Sequence, residues 1–536
     1  LLSFTIFLIL FSFCDNNLKD EETRKKEPGV RSGETKQNLI TGKAGEVLSP
    51  PNKETALPKG SPKNPKSLPL TMKEAVVLAL RNNLELMGFR YDPLIAQEDI
   101  IRAESVFDPV TVLRFDVNES NINNTIARTK SDNLSADAEI NKKFYTGGTY
   151  GVGFDTSRNR VSGGTLGTQL ANPVNPITRS DLFLNFTQPL LLGFGRDVNR
   201  AQIEISINLQ KIAALGLNSQ IRDLIAGVET SYLDLLQALR TFEVSKKSLG
   251  VAEDLLAQNK IRVRVGTMAP IEVLQAEAGK AAREEAVIIA QSNIETFEEL
   301  LKRQIFPLEE SDLWSLNIEP SDKPIVQKVQ PDLDAALEST LATDPQYQQA
   351  KLNVSNRDIN LKVARNLTLP TLNLQGNVRT AGIRGEVMDD FDPLFRGDSS
   401  AWQVGLNFSY PLGNRDAKSQ VRQGEMQLEK SKLSVKQAEY TLTVQVRDLI
   451  RQVNTNLERV RTTGISSRLA EENLAAERKK LEVGLSTSFQ VLQFEERLTI
   501  ARNAENLAII DYNKSIINLE RVTGQILEKF NITTKY

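Results

Sequence analysis

The sequence predicts an α+β membrane protein: a long antiparallel α-helical coiled-coil barrel joined to a transmembrane β-barrel, built as a twofold internal repeat. Three observations carry this. The stretch Val265-Gly266-Thr267-Met268-Ala269-Pro270-Ile271-Glu272-Val273-Leu274-Gln275-Ala276-Glu277 is echoed, without a gap and at an offset of 218, by Val483-Gly484-Leu485-Ser486-Thr487-Ser488-Phe489-Gln490-Val491-Leu492-Gln493-Phe494-Glu495. Each copy sits between long runs whose apolar residues recur at spacings of three and four, the helical period. Ahead of those runs the period switches to strict alternation, which places one apolar row on a strand.

Leu1 to Phe13 is apolar apart from Ser3, Thr5 and Ser12. It is shorter than the roughly 20 residues a spanning helix needs, and 1–14 is expected to be a secretory signal peptide. Leu10-Phe11-Ser12-Phe13-Cys14 resembles a bacterial lipoprotein cleavage site, with Cys14 as the lipidated residue, although Phe13 replaces the usual small residue. Residues 15–68, rich in Lys, Glu, Asn, Gly and Pro, are expected to form a disordered tether, since they carry too little apolar surface to offset ordering entropy.

From 69 to 330 runs the first repeat, and from 331 to 536 the second. Thr71 is placed to cap a helix bearing Ala75, Leu78, Ala79, Leu84 and Leu86. Ala336, Leu337, Leu341, Asp344 and Tyr347 match Ala75, Val76, Leu80, Asn83 and Leu86 at an offset of 261. Alternation follows in Leu113 to Val117, Thr149 to Asp155, Leu182 to Phe186 and Leu372 to Leu374, and most clearly in Trp402, Val404, Leu406, Phe408 and Tyr410. In several of these strands the intervening residues are small and uncharged, as on the wall of a water-filled barrel, and a barrel strand needs only about 9 to 11 residues to cross a membrane. Gln188-Pro189-Leu190 and Tyr410-Pro411-Leu412 correspond at an offset of 222, so the first repeat holds 261 minus 222, or 39, extra residues between its first and last strands. Leu134, Ala136, Ala138 and Ile140 alternate there and predict a further hairpin with the Tyr150 strand. It either widens the barrel or folds over its mouth.

After Gly193, Gly195 and Gly413 the helical period returns, over about Asp197 to Arg264 and Ala417 to Glu482. At 1.5 Å per residue each is a rod of roughly 100 Å. Return helices are expected over Ile271 to Gln304 and Phe489 to Leu527. Leu224, Val228, Tyr232, Leu235, Leu239 and Phe242 mark a coiled-coil seam. The Val-Gly stretches are the turns between rod and return helix, because glycine accepts the left-handed conformation that ends a helix.

Composition removes other classes. A net charge of -2 gives no electrostatic case for nucleic acid. Histidine is absent and Cys14 is the single cysteine, so the commonest general base, intrachain disulfides and zinc-type cysteine clusters are excluded. Neither a metal nor a cofactor is expected; Asp389-Asp390-Phe391-Asp392, between two predicted strands and ringed by glycines, is expected to be a solvated loop rather than a calcium site.

The internal repeat, the Gln-Pro-Leu and Tyr-Pro-Leu strand ends and the two Val-Gly turns followed by Val-Leu-Gln resemble the outer-membrane efflux proteins, the TolC-like channels. The resemblance covers about Pro69 to the C-terminus. It implies a homotrimer forming one β-barrel in outer-membrane lipid, continued by an α-helical tunnel through the periplasm to a tip. There the tunnel meets a periplasmic adaptor and, through it, an inner-membrane pump of RND, ABC or MFS type. The implied role is a passive export duct of a tripartite efflux or type I secretion system, without covalent chemistry. It assigns adaptor binding to Val265, Gly266, Thr267, Val483, Gly484, Leu485 and Ser486. It places Glu272, Gln490 and Gln493 at the pore entrance, where Gln490 and Gln493 stand at positions that are aspartates in acid-ringed members. The competing reading is a lipid-anchored coiled-coil scaffold, which accounts for the helices but not for the strands.

Overall fold

The computed structural model describes residues 67–123, 128–163, 175–307, 311–324, 326, 328–384 and 399–532. The leader with Cys14, tether residues 15–66 and the loop Asp389 to Asp392 lie outside them. Ser67 and Leu68, read above as tether, instead belong to strand β1 (Ser67–Leu70), which pairs in parallel with β6 (Asn317–Pro320).

Thr71 caps α1 (Met72–Asn82) in a capping box with Glu74. The helix does not continue through Asn82-Asn83, because the Asn83 side chain accepts from Leu86 N at 2.9 Å and starts α2 (Leu84–Phe89). Its counterpart at offset 261, Asp344, does the same for Tyr347 N at 2.8 Å, dividing α6 (Leu333–Thr343) from α7 (Pro345–Asn366). Helix α3 (Tyr91–Glu104) then leads into the sheet, as α7 does.

The sheet has six strands, each antiparallel to its neighbours, in the order β2 (Val110–Asn123), β3 (Arg128–Lys143), β4 (Thr149–Gly163), β5 (Ile177–Pro189), β7 (Thr371–Arg384) and β8 (Ser400–Ser409). The expected hairpin of the 39-residue excess is therefore β3–β4, and it lies in the plane of the sheet.

Helix α4 (Ala201–Arg264) and α5 (Ile271–Ile305) form one hairpin, and α8 (Arg415–Glu482) and α9 (Ser488–Thr523) the other. Toward the sheet α3 packs beside α4, and α7 packs against both α4 and α8. The second return helix was expected to reach Leu527, but it stops at Gly524, whose φ of +81° is left-handed. A Cβ there would lie 2.8 Å from Thr343 Oγ1, so only glycine fits, and α10 (Gln525–Lys529) starts afresh.

Tyr232 on α4 and Tyr512 on α9 are fully buried. The Tyr232 hydroxyl donates to Leu70 O at 2.9 Å and accepts from Asp322 N at 3.2 Å, tying α4 to β1 and to the segment that leaves β6. Tyr512 packs with Val446, Val453, Leu519 and Val522, and its hydroxyl accepts from Val329 N at 2.9 Å.

Candidate channel wall and helical tip

Cross-strand partners share a face, so the register sorts the six strands into rows. One row reads Ile140, Val152, Leu184, Val378, Trp402 from β3 to β8, and the next Tyr150, Phe186, Gly376, Val404. The opposite face carries Asn141, Gly151, Asn185, Asn377, Gln403 in one row and Arg114, Asp137, Asp155, Asp181 in another. Arg379 lies 3.5 Å from Asp155 and 3.7 Å from Asp181, and Arg179 lies 2.9 Å from Asp181, so cations offset this carboxylate row. Among the described residues no helix covers the apolar rows. Trp402 is 78 % exposed and Phe115 77 %, and Leu113, Val404, Leu406 and Phe408 are also open. An exposed apolar face of this extent is not a soluble surface. At the helix end of the sheet Phe144 stacks on Tyr150 with centroids 5.0 Å apart, and Tyr145 meets Phe107 at 4.4 Å, with Arg200 over the Tyr145 ring. Aromatic rings flanked by cations suit a headgroup boundary.

The two Val-Gly turns have one geometry. Gly266 has φ +76° and Gly484 φ +78°. Gly266 N donates to Val263 O and Thr267 N to Arg262 O; Gly484 N donates to Leu481 O and Leu485 N to Lys480 O. This is the paired closure that satisfies the last carbonyls of a helix ending on a left-handed glycine. Val265, Val483 and Leu485 are 65, 70 and 78 % exposed, and Ile271, Leu274 and Phe489 extend the apolar surface of the turns.

A second likeness was not visible in the residues singled out from the sequence. Asn259 and Glu477, also 218 apart, each brace their own turn. Asn259 Nδ2 donates to Glu272 O at 3.2 Å, while Glu477 accepts from Ser486 Oγ at 2.6 Å and from Lys480 Nζ at 3.1 Å. The Ser486 hydroxyl, followed by Lys480, holds the Glu477 carboxyl below its ordinary range. Asn259 also joins the two hairpins, because its Oδ1 accepts from the fully buried Ser488 Oγ at 2.9 Å. The shared Glu277 and Glu495 form equivalent ion pairs, Lys260–Glu277 at 2.9 Å and Arg478–Glu495 at 3.3 Å, again between positions 218 apart. They differ in burial: the Glu277 side chain is 48 % exposed and that of Glu495 5 %. Burial pushes the Glu495 carboxyl up, against the pull of Arg478, Arg283 and Arg502.

The residues expected at the pore entrance have distinct surroundings. Glu272 stands in the first turn of α5 with Oε2 shut off from solvent and without a hydrogen-bond partner among the described residues. Gln490 completes a capping box, its Oε1 accepting from Thr487 N at 3.4 Å, and Gln493 is exposed one turn on.

The profile of the family described as "Outer membrane efflux protein" matches residues 149–303 and 336–525, more than half of the chain. The chain belongs to this outer membrane efflux protein family. The outer membrane efflux protein BepC of Brucella suis is 23 % identical over 357 residues, covering 65 % of this chain and 73 % of BepC. The outer membrane protein TolC of Escherichia coli is 24 % identical over 321 residues, covering 57 % of this chain and 62 % of TolC. Among solved structures, the Campylobacter jejuni CmeC outer membrane channel superposes with a TM-score of 0.62 at 17 % identity, over 84 % of this chain and 85 % of that one. At that identity the likeness shows the fold. Membership in the family places this efflux protein in the outer membrane, with its helical part in the periplasm.

Proposed function

We propose that the chain is the outer-membrane duct of a tripartite efflux or type I secretion system, closed by trimerisation and built from a duplicated unit. The observation that carries this reading is the six-stranded sheet with one uncovered apolar face and one polar face, because such a sheet has no stable home except as part of a closed barrel in lipid. Among the described residues strands β2 and β8 each have one unpaired edge, and with an even number of strands they run antiparallel to each other. Further copies therefore continue the ladder around a ring.

The equal turns at Gly266 and Gly484, with apolar Val265, Val483 and Leu485 open at their crests, are the surface offered to a periplasmic adaptor. Thr267 and Ser486 hold the turns from behind: the Thr267 hydroxyl donates to Arg262 O at 3.0 Å and that of Ser486 to Glu477. Glu272, Gln490 and Gln493 line the entrance, which is polar but weakly charged, so ion selectivity there is lower than in a carboxylate-ringed pore. Transport is passive, and substrate choice rests with pump and adaptor.

The test is a photo-cross-linking residue at Leu485 in cells exporting through this duct, together with single-channel recording of the purified protein. Capture of a periplasmic adaptor and measurable conductance are expected. A protein that oligomerises as a rod, gives no conductance in bilayers and captures no adaptor refutes the duct and leaves the scaffold.

A further inference from the structure

We infer that the β3–β4 hairpin is a wall element that widens the barrel, so that each copy contributes six strands and three copies close an eighteen-stranded ring. This rests on the trimeric duct proposed above and adds to it the size of the pore.

The position of the insertion comes from the chain itself. Pro109 and Pro370 stand immediately before β2 and β7, 261 apart, and Pro189 and Pro411 close β5 and follow β8, 222 apart. Strand β2 thus answers β7, and β5 answers β8. The 39-residue excess between β2 and β5 is accounted for by β3, β4 and their turn, which run from 128 to 163.

Four observations place this hairpin in the wall rather than across the mouth. Both edges of β3 and both edges of β4 are used in continuous ladders, β3 with β2 and β4, and β4 with β3 and β5. Its strands of 16 and 15 residues match the 14 of β2 and the 13 of β5. Its apolar face continues that of the neighbouring strands through the pairs Ala138–Phe154 and Ile140–Val152, as a lipid-facing segment requires and a lid does not, and Lys142, opposite Tyr150, marks the helix-side end of that face. Its helix-side turn is also fastened to the link between β5 and α4. Gly195 N donates to Thr146 O at 3.2 Å and the Thr146 hydroxyl to Gln188 Oε1 at 3.1 Å. Gly147 has φ +91°, and a Cβ there would lie 2.2 Å from Gly193 O. Two added strands leave the direction of β5 unchanged, so the chain still enters α4 from the same side of the membrane.

At equal strand tilt, barrel diameter grows about linearly with strand number. Eighteen strands against the twelve of a ring lacking β3 and β4 make the barrel about 1.5 times as wide, with about 2.2 times the cross-section.

The test is cryo-electron microscopy of the full chain in nanodiscs, with strands counted in the membrane-level cross-section. Three copies with eighteen strands, β3 and β4 among them, are expected. Three copies closing a twelve-stranded ring with 128–163 outside the wall would overturn the widening and leave the duct intact. Absence of any closed ring would remove the duct reading on which the widening rests. As an independent arm, a variant lacking residues 124–162 should, where it assembles, shrink the ring by a third in diameter; a ring of unchanged diameter would overturn the inference.

Discussion

Alanine in place of Gly484 should loosen the second turn, while the same change at Gly250, within α4, should tighten the chain locally. Neither glycine has an atom within 4 Å of where a Cβ would stand, so packing cannot decide the outcome and the backbone alone does. At Gly484 the φ of +78° imposes the left-handed conformation, which costs a residue with a Cβ about 1 to 2 kcal/mol. At Gly250 the backbone is helical, and alanine is favoured over glycine by roughly 1 kcal/mol. A difference of 1.4 kcal/mol is tenfold in an opening equilibrium, so amide exchange at Leu485, whose N–H closes the turn on Lys480 O, should quicken roughly 5- to 30-fold in Gly484→Ala. Exchange around position 250 should slow several-fold in Gly250→Ala, by about the same reasoning. The assay is hydrogen–deuterium exchange of the purified protein, with Gly484→Asn as the partial rescue, since asparagine tolerates left-handed φ. If both alanine variants shift exchange in the same direction, the turn is not held in the left-handed form and the equivalence of the two tips falls.

Loss of Arg478 should cost more than loss of Lys260 although their ion pairs are equivalent: Arg478→Met should destabilise by about 1 to 2 kcal/mol because it strands the buried Glu495, and Lys260→Met by less than about 1 kcal/mol, as read from denaturant melts. The second turn should be acid-sensitive and the first should not. Glu477 has a lowered folded pKa, so its contribution is present above the unfolded carboxylate value and fades as pH falls through the folded one, whereas Asn259 at the matching position does not titrate. Exchange at Leu485 measured from pH 6 down to pH 3 should therefore quicken beyond the intrinsic chemical effect, and Ser486→Ala should flatten that dependence. Tyr232, whose hydroxyl burial raises its pKa to about 12, should lend stability that is full below the ordinary phenol value near 10 and is lost as pH rises toward 12. Tyr232→Phe should abolish that alkaline limb in thermal melts and cost about 1 to 3 kcal/mol by orphaning Asp322 N, while Leu70 O keeps its bond from Ser321 N. Val404→Lys should impair folding into lipid vesicles by about 2 to 4 kcal/mol, while Gln403→Lys on the polar face should leave it nearly unchanged; equal effects would contradict the assignment of the faces.

What the sequence determined by itself was whatever a short window encodes. The switch from helical period to alternation, the capping Thr71 and the glycines of the two turns were legible because side-chain period and φ are local properties, and the long helices stop within two residues of where the pattern placed them, Gly524 excepted, although the first rod starts at Ala201 rather than Asp197, after a short helix of its own over Arg196–Asn199. The repeat offsets identified the 39-residue excess and Glu277 with Glu495 as corresponding residues. The tertiary structure decided what depends on distant partners. Four-residue strands such as β1 and β6 are too short to carry a pattern, and their existence rests on each other and on Tyr232. Nothing in the local sequence says that Glu495 is buried and Glu277 is not, since burial depends on how the two hairpins pack, as where Arg283 donates to Leu492 O. The bridge from Asn259 to Ser488 spans 229 positions and is equally invisible. So too with the added hairpin: alternation announces strands, but only the hydrogen-bonded ladders on both sides of it choose the wall over the mouth, because strand neighbours are set by non-local pairing rather than by the residues of any one strand.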